Sequence, residues 1–208
     1  MNTNEGTLLS SIVKAYDVRG VVNEQLTERM VEALGAGFVD EVKAAGGQIV
    51  IGHDMRDSSP VFARAFARGA TARGASVTNL GLCSTDETYF ASGAWNAPAA
   101  MFTASHNPAK YNGSLDTGLA AIRDRAIAYL ESSIDPVAVS GAYEERDVLA
   151  DYAGYLRSLV DLSDIRPIRV VVDAGNGMGG LTVPAVLGDS AGLGSLPIEI
   201  IPLYFELD

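Results

Sequence analysis

Hydrophobic and polar positions along the first part of the chain follow two alternating spacings. Helical spacing is clearest early on, where apolar side chains recur every four residues at Met30, Leu34, Phe38 and Val42. The pattern predicts helices over residues 26–45, 58–74, 86–94 and 116–133. It predicts buried strands over residues 48–54, 76–82 and 97–104. Strands that alternate with helices favour a mixed, mostly parallel sheet sandwiched by helices, which is an α/β fold.

A second unit is predicted after residue 150. The periodicity is interrupted between residues 135 and 150, so we expect one domain over residues 1–140 and another over residues 150–208. The second unit is predicted to contain helices at 151–162 and 181–188, and strands at 168–174 and 198–208. Two strands with one short crossover rarely bury enough surface to be stable alone. We therefore expect a partial α/β domain of similar type, whose open sheet edge makes the isolated chain poorly soluble.

Net charge, cysteine content and the length of apolar runs exclude several classes of function. The chain has 208 residues and a formal net charge of −11, which disfavours binding to nucleic acid or to an anionic membrane surface. The single cysteine, Cys83, excludes an internal disulfide and fits a reducing compartment, and we expect it to be a buried, unreactive thiol. The sequence contains neither a secretory signal nor an apolar run long enough for a membrane helix, which predicts a soluble, cytoplasmic protein.

The loop KAYDVRG, residues 14–20, is the first cluster of polar side chains. Tyr16, Asp17 and Arg19 precede Gly20 there. A guanidinium group matches the geometry of a phosphate or a carboxylate, so Arg19 is a candidate anion ligand. The alternative is an Asp17–Arg19 surface pair that only fixes a turn.

The loop GHDMRDSSP, residues 52–60, is the second cluster, and it joins a predicted strand to a predicted helix. The amino end of that helix would attract anions. Alternatively, Ser58 or Asp57 simply caps the helix and Arg56 forms salt bridges within the loop. His53 is a poor candidate metal ligand, because two histidines and one cysteine cannot build a usual zinc site.

The third cluster begins where a buried strand runs directly into TASHNP, residues 103–108. A serine at the carboxyl end of a parallel strand lies where α/β folds bind ligands. Ser105 is therefore a candidate phosphate acceptor, and its phosphate would attract Arg19 and Arg56. Direct base catalysis by His106 on its neighbour Ser105 would be strained, and the G-x-S-x-G elbow of hydrolases is absent. The alternative is a plain turn in which Ser105 and Asn107 hydrogen-bond the backbone.

The glycine-rich segment GNGMGG, residues 175–180, matches the spacing G-x-G-x-x-G. A dinucleotide site would require a full helix after it and an acidic residue at the end of the next strand. Pro184 and Gly188 leave only a short helix, so we disfavour nucleotide binding there.

Taken together, KAYDVRG, GHDMRDSSP, TASHNPAKYNG and VVVDAGNGMGG resemble, in order and spacing, the motifs of the α-D-phosphohexomutase superfamily. The similarity is strongest to the bacterial phosphomannomutase/phosphoglucomutase group and runs from Lys14 to the last residue. It implies an intramolecular phosphotransferase that interconverts hexose 1-phosphates and hexose 6-phosphates. The substrate implied first is mannose phosphate, with glucose phosphate as a possibility and glucosamine phosphate less favoured.

The resemblance implies roles for individual residues. Ser105 matches the phosphoserine that passes its phosphoryl group to the sugar through a bisphosphorylated intermediate, and a sugar bisphosphate would act as the phosphorylating activator. His106 and Asn107 match the loop around that serine, with His106 in a catalytic role and Asn107 in substrate binding. Tyr16 and Arg19 match the loop that approaches substrate and phosphoserine. The family uses Mg²⁺, which would contact the phosphate on Ser105.

The sequence departs from the family pattern in three ways. The Asp-x-Asp-x-Asp-Arg metal loop of the third domain does not occur. The sugar-reading and phosphate-clamping loops of the third and fourth domains do not occur either, so we expect domains III and IV to be absent. The family continues Asn-Gly-x-Lys along a strand, whereas Ser114-Leu115 follow Asn112-Gly113 here, so we expect that strand to be deleted. Lys110 is near but occupies another position in the motif.

Two hypotheses follow from these departures. In the first, the chain carries part of a phosphomannomutase-type enzyme, with little or no activity by itself. In the second, it is a non-catalytic remnant or a sugar-phosphate-binding module of the same fold. The sequence leaves the oligomeric state open.

Overall fold

The computed structural model describes residues 3–14, 17–103, 111–112, 118–162 and 164–208. The helices are α1 Thr3–Ile12, α2 Glu28–Val42, α3 Ser59–Ala72, α4 Thr85–Trp95, α5 Leu119–Ser132, α6 Leu149–Ser158 and α7 Gly179–Val186. The strands are β1 Gly20–Val21, β2 Gln48–His53, β3 Ser76–Leu82, β4 Ala99–Phe102, β5 Tyr111–Asn112, β6 Tyr143–Glu145, β7 Ile168–Asp173 and β8 Ile198–Leu203. Within these ranges no helix is both long and apolar enough to cross a membrane.

The central sheet has four parallel strands in the order β4-β2-β3-β6. This confirms the predicted α/β architecture, with the three predicted strands side by side and helices on both faces. The sequence pattern missed β6 because its three residues are all exposed and give no apolar signal. It also missed α1, whose apolar face is short. Two smaller sheets, antiparallel β1-β5 and parallel β7-β8, complete the structure.

The main core lies on one face of the central sheet, under α3. Outward from the sheet, α2 packs on α3, α5 packs on α2, and α1 packs on α5. Three phenylalanine rings link these layers: Phe102 of β4 contacts Phe66 of α3, which contacts Phe38 of α2, each pair with ring centroids 5.5 Å apart. These edge and tilted contacts add to the stabilisation that comes from burying the rings.

The other face of the sheet is covered by α4, with α6 packed outside it. Ser84 begins α4 with a capping box, in which its hydroxyl accepts the N–H of Glu87 and the Glu87 carboxylate accepts the N–H of Ser84. Burial raises the pKa of Glu87 despite these hydrogen bonds. Cys83 and Met101 belong to a second, smaller cluster of buried apolar side chains on this face of the sheet.

One residue of the glycine-rich segment, Gly180, has to be glycine because of how the chain packs around it. A Cβ carbon at Gly180, next to the start of α7, would lie 2.1 Å from the backbone oxygen of Phe205. Helix α7 ends after eight residues and contains Pro184. The glycine therefore permits close packing of α7 against the chain that follows β8. The assignment of residues 1–140 and 150–208 to separate domains stays a prediction.

Candidate active site

The carboxyl ends of three neighbouring parallel strands meet at one edge of the central sheet. After β2, the N–H of Asp54 donates to the carbonyl oxygen of Phe102 at the end of β4, at 3.0 Å. On the other side, the N–H of Cys83 after β3 donates to the carbonyl oxygen of His53, at 2.9 Å. Open α/β sheets bind ligands outside this edge, so the chain segments that leave these strands define the candidate site.

Asp54 organises the loop that follows β2. Its Oδ1 accepts the hydroxyl of Ser59 at 2.6 Å and the N–H of Arg56 at 3.1 Å, while its Oδ2 accepts Nε of Arg56 at 3.1 Å. Asp54 is 4% exposed and the Arg56 side chain 11%. A buried ion pair is tolerated when further hydrogen bonds satisfy its atoms, and this carboxylate has three donors.

The structure corrects the predicted capping of α3. Ser58 occupies the N-cap position, but its side chain makes no capping hydrogen bond to the helix. The neighbouring Ser59 donates to Asp54 instead, so the loop is held by the carboxylate and not by a serine cap. The salt bridge predicted for Arg56 within this loop is present. His53 places Nδ1 2.9 Å from the carbonyl oxygen of Asp54.

The loop that carries Arg19 is fixed by backbone hydrogen bonds. Val13 and Val18 form an antiparallel bridge, and the N–H of Arg19 donates to the carbonyl oxygen of Ile12 at 3.0 Å. Nη2 of Arg19 lies 2.6 Å from Oδ2 of Asp17, so the pair expected under the alternative interpretation of this loop is present. About one third of the Arg19 side chain is exposed, which leaves it accessible from solvent.

The same loop lies beside the chain that follows the serine motif. Gly20 of β1 pairs with Asn112 of β5, and Val21 pairs with Tyr111. Phe102, two residues before residue 104, is hydrogen-bonded to Asp54, and Tyr111, directly after residue 110, is paired with Val21. The residues that flank 104–110 therefore contact the loop that carries Arg56 and the strand that follows Arg19.

Most of the predicted site residues lie outside the described residues: Tyr16, Ser105, His106 and Asn107. Their roles stay predictions, as does that of Arg19. No role was predicted for Asp54, which makes hydrogen bonds to Arg56, Ser59 and Phe102. A buried strand that ends in Asp, with Arg two residues later, was the signal that could have identified it.

The described residues provide no ready metal site. No group of three or more histidine, cysteine or acidic side chains is arranged to hold an ion within the ranges given above. Both oxygens of Asp54 already accept hydrogen bonds from the protein. Cys83 is buried, and burial raises its pKa to about 12, so it is the protonated, unreactive thiol that the sequence predicted.

Comparison with known proteins assigns the family. A family model described as phosphoglucomutase/phosphomannomutase, alpha/beta/alpha domain I, matches residues 10–127. The chain belongs to the phosphoglucomutase/phosphomannomutase family. The matched region contains the central sheet strands β2, β3 and β4, both arginine-bearing loops and the serine motif.

Relatives of this family match nearly the whole chain. It is 36% identical over 207 residues to phosphohexose mutases of Xanthomonas campestris, which covers 94% of this chain and 44% of that protein. It is 35% identical over 208 residues to a phosphomannomutase of Escherichia coli, covering 94% of this chain and 45% of that protein. A crystal structure of a phosphoglucomutase/phosphomannomutase family protein from Burkholderia thailandensis superposes with a TM-score of 0.78 at 31% identity, covering 95% of this chain and 44% of the other. The chain spans less than half the length of these relatives.

Proposed function

We propose that this chain carries the phosphoserine loop of a phosphohexomutase, with Ser105 as the group that holds and donates phosphate. The substrates proposed are a hexose 1-phosphate and a hexose 6-phosphate, with mannose first and glucose second. Relatives that match 94% of the chain are named phosphohexose mutases and phosphomannomutase, which supports this class of substrate.

The observation that carries the proposal is the position of the two arginine-bearing loops at the two ends of residues 104–110. The Asp54–Phe102 hydrogen bond fixes one loop, and the Gly20–Asn112 pairing fixes the other. Phosphoryl transfer depends mostly on positioning and on stabilising charge around the phosphorus. Guanidinium groups make strong charge-assisted hydrogen bonds to phosphate, which is the role proposed for Arg19 and Arg56.

The proposed reaction has two transfers that mirror each other. In the first, a sugar hydroxyl attacks the phosphorus on Ser105. The bond from Ser105 Oγ to phosphorus breaks, and Oγ takes up a proton in place of the one that the sugar hydroxyl loses. The product is a sugar bisphosphate and an unmodified serine. In the second, Ser105 Oγ attacks the phosphorus of the other phosphate and loses its proton. The bond from that phosphorus to the sugar oxygen breaks and the sugar oxygen takes up a proton, which restores phosphoserine and leaves the isomeric monophosphate. Arg19 and Arg56 would hold the negative charge in both directions.

Mg²⁺ stays a prediction for this chain. It would neutralise charge on the transferred phosphoryl group. Because the described residues supply no ligand cluster for it, no step here is assigned to the metal.

The test is direct phosphorylation of the purified chain. Incubation with glucose 1,6-bisphosphate or mannose 1,6-bisphosphate and Mg²⁺ should add about 80 Da, the mass of one phosphoryl group, as measured by intact-mass spectrometry. Ser105→Ala should remove the added mass, and peptide mapping should place it on Ser105. A wild-type chain that stays unmodified, or an S105A chain that still gains phosphate, would contradict the proposal.

The alternative is a sugar-phosphate-binding module without turnover. The chain covers 44% of the length of the Xanthomonas phosphohexose mutases, so turnover is tested separately from phosphorylation of Ser105. Incubation with Mg²⁺, mannose 1-phosphate and a catalytic amount of bisphosphate, followed by an assay for mannose 6-phosphate, separates the two. Turnover that Ser105→Ala abolishes would exclude the module.

A further inference from the structure

We propose that strand β7 pairs with β7 of a second copy of this chain, in antiparallel orientation and around a two-fold axis at Val171. The pairing joins the two β7–β8 sheets into one four-stranded sheet. The inference concerns the second unit of the chain and does not depend on phosphate transfer by Ser105.

The β7–β8 sheet is small and largely uncovered. In the ranges that the structure describes, β8 is the only strand that pairs with β7. No residue of either strand is buried, and Val171 in the middle of β7 is 61% exposed. A two-stranded sheet is marginally stable in water, whereas three or more strands with an apolar face can be stable. A further strand paired with this sheet would therefore stabilise it.

Alternate residues of β7 direct their backbone groups away from β8. The N–H of Ile168 donates to the carbonyl oxygen of Pro197 at 3.0 Å, and the N–H of Ala174 donates to that of Leu203 at 2.9 Å. Because hydrogen-bonding directions alternate along a strand, the even-numbered residues of β7 face β8 and the odd-numbered residues face the open edge. The residues whose N–H and carbonyl groups point to that edge are Arg169, Val171 and Asp173.

Two other strand edges are less suited to a second copy. The same alternation directs Pro202 to the outer edge of β8, where it has no N–H to donate. Strand β6, at the end of the central sheet, carries Glu144 and Glu145, and two copies of it would bring like charges together. The open edge of β7 instead carries one positive and one negative side chain.

One register of the antiparallel pair satisfies both the hydrogen bonds and the charges. Residues that face the edge must lie opposite each other, which allows only registers that differ by two residues. With Val171 opposite Val171 of the second copy, Arg169 lies opposite Asp173 of that copy, and the two-fold symmetry repeats this pair on the other side of the axis. A shift of two residues in either direction removes both charge pairs. Opposite charges on directly facing residues stabilise an antiparallel pair, so the sequence of β7 is complementary to itself in this register.

The side chains on the exposed face also continue across the joined sheet. Nε of Arg169 lies 2.9 Å from Oε2 of Glu199 on β8, and the Arg169 side chain is 70% exposed, so its guanidinium group has N–H groups for a second carboxylate. Val171 is the register partner of Ile201 on β8. The second copy therefore extends a row of alternating charge and, beside it, an apolar row of Ile201, Val171 and their two copies.

The first measurement is sedimentation equilibrium of the 208-residue chain. An edge of six residues is smaller than most stable interfaces, so we expect a weak dimer that forms as the concentration rises through the micromolar range. Val171→Pro removes the central N–H from the open edge and leaves the residues that bond β8 unchanged, so this variant should stay monomeric.

Exchange of charges tests the pairing itself. Arg169→Glu makes both charged positions of the edge acidic, and Asp173→Arg makes both basic. Each variant alone should associate with itself about tenfold more weakly than the wild type, or less, because like charges then face each other at two places. An equal mixture of R169E and D173R should associate again, since each edge meets its opposite at both positions. Arg68→Glu is the control, because Arg68 is also exposed and paired with a glutamate but lies on α3, and it should dimerise like the wild type.

Cross-linking tests the position of the two-fold axis. Facing Cα atoms of a hydrogen-bonded antiparallel pair are about 5.5 Å apart, which is within the range of a disulfide. Val171→Cys should therefore form a disulfide-linked dimer under mild oxidation, while the native Cys83 is buried and does not compete. Val139→Cys, at a position that is 79% exposed but lies outside β7, should form far less.

The outcomes separate this proposal from its alternatives. A concentration-dependent dimer, restored in the mixture of R169E and D173R and trapped by V171C, supports it. A chain that is monomeric at every concentration overturns the second copy as the partner of β7 and leaves the edge to a strand of another polypeptide. A dimer that persists in V171P and in R169E lies elsewhere on the surface and also overturns it. None of these results requires phosphorylation of Ser105, so failure of the proposed function leaves the inference standing.

Discussion

Gly35 in α2 faces the backbone carbonyl oxygen of Phe66 in α3 with no space between them for a side chain. A Cβ carbon at Gly35 would lie 2.1 Å from that oxygen, and one at Gly69 in α3 would lie 1.9 Å from the carbonyl oxygen of Glu32. The two helices therefore cross backbone to backbone. This crossing holds α2 above α3, which in turn covers the sheet that positions the two arginine-bearing loops.

The first prediction is that Gly35→Ala destabilises the fold by about 3 kcal/mol, because the helices must separate to admit one methyl group. Urea unfolding followed by circular dichroism measures the change. Gly93→Ala is the matched control, since Gly93 also lies in a helix and a Cβ there would meet nothing within 4 Å. Alanine at residue 93 should stabilise the chain by about 0.5–1 kcal/mol through helix propensity. Equal effects of the two substitutions would contradict the crossing described here.

The sequence predicts the central strands of this fold well because they are buried on both faces and therefore form continuous apolar runs. Strand β3 has the predicted bounds, and β2 differs by one residue, since apolar runs between glycine turns are unambiguous. The crossing of α2 and α3 could not be predicted, because the sequence does not show which helix packs against a helical glycine. The same limit applies to the candidate site. The sequence indicates Ser105 through its motif, whereas residue types alone do not show that Asp54 accepts hydrogen bonds from both Arg56 and Ser59.

The second prediction concerns Arg19. Under the proposed function, Arg19→Ala should slow phosphorylation of Ser105 by about tenfold or more, because a guanidinium that contacts a phosphate makes strong charge-assisted hydrogen bonds. Arg19→Lys should recover only part of the rate. The rate of mass gain with glucose 1,6-bisphosphate provides the measurement. Arg68→Ala is the control. Arg68 lies on α3, is half exposed and pairs with Glu32 of α2 at 3.0 Å, so this variant should react like the wild type. Identical rates for R19A and R68A would remove Arg19 from the site.

The third prediction is a loss of stability in alkaline solution that depends on Cys83. Burial raises the pKa of this thiol from 9.0 to about 12, so between those values the unfolded chain has lost a proton that the folded chain keeps. The free energy of unfolding should therefore fall as pH rises, with a contribution from Cys83 of about 1.4 kcal/mol per pH unit between pH 9 and 12. Below pH 9 this stabilisation is fully present.

The measurement is urea unfolding at several pH values, with Cys83→Ala as the comparison. The variant should show a shallower decline than the wild type above pH 9. Burial and a hydrogen bond to Asp40 raise the pKa of Tyr129 to about 12. The free energy of unfolding will therefore still decline with pH above pH 10 in both proteins. At pH 8 an aromatic disulfide reagent should label the wild type only as it unfolds, whereas an exposed thiol in Val139→Cys should react at once. If the free energy of unfolding falls equally with pH in the wild type and in C83A, the pKa of Cys83 is not raised by folding.

The fourth prediction is that Arg157 holds the chain between α7 and β8. Its Nε donates to the carbonyl oxygen of Val186 at 2.8 Å and its Nη1 to that of Gly194 at 2.7 Å, while the carbonyl oxygens of Gly188 and Leu193 accept further bonds from the same group. A cation at the carboxyl end of a helix also interacts favourably with the helix dipole. Arg157→Ala removes all of these bonds at once. We expect a loss of about 2 kcal/mol in local stability.

Hydrogen exchange measured by mass spectrometry separates that local effect from a global one. In R157A, amides in residues 187–197 should exchange at least about tenfold faster than in the wild type, while those of β2 and β3 should be unchanged. Arg157→Lys should exchange nearly as fast as Arg157→Ala. One ammonium group cannot reach the four carbonyl oxygens that surround the planar guanidinium group. Arg169→Ala is the control: its pair with Glu199 at 2.9 Å is exposed on the β7–β8 sheet, and its removal should cost less than about 0.5 kcal/mol. Faster exchange throughout the central sheet in R157A would mean that Arg157 stabilises the whole chain. Unchanged exchange at residues 187–197 would mean that the hydrogen bonds of Arg157 do not stabilise that segment.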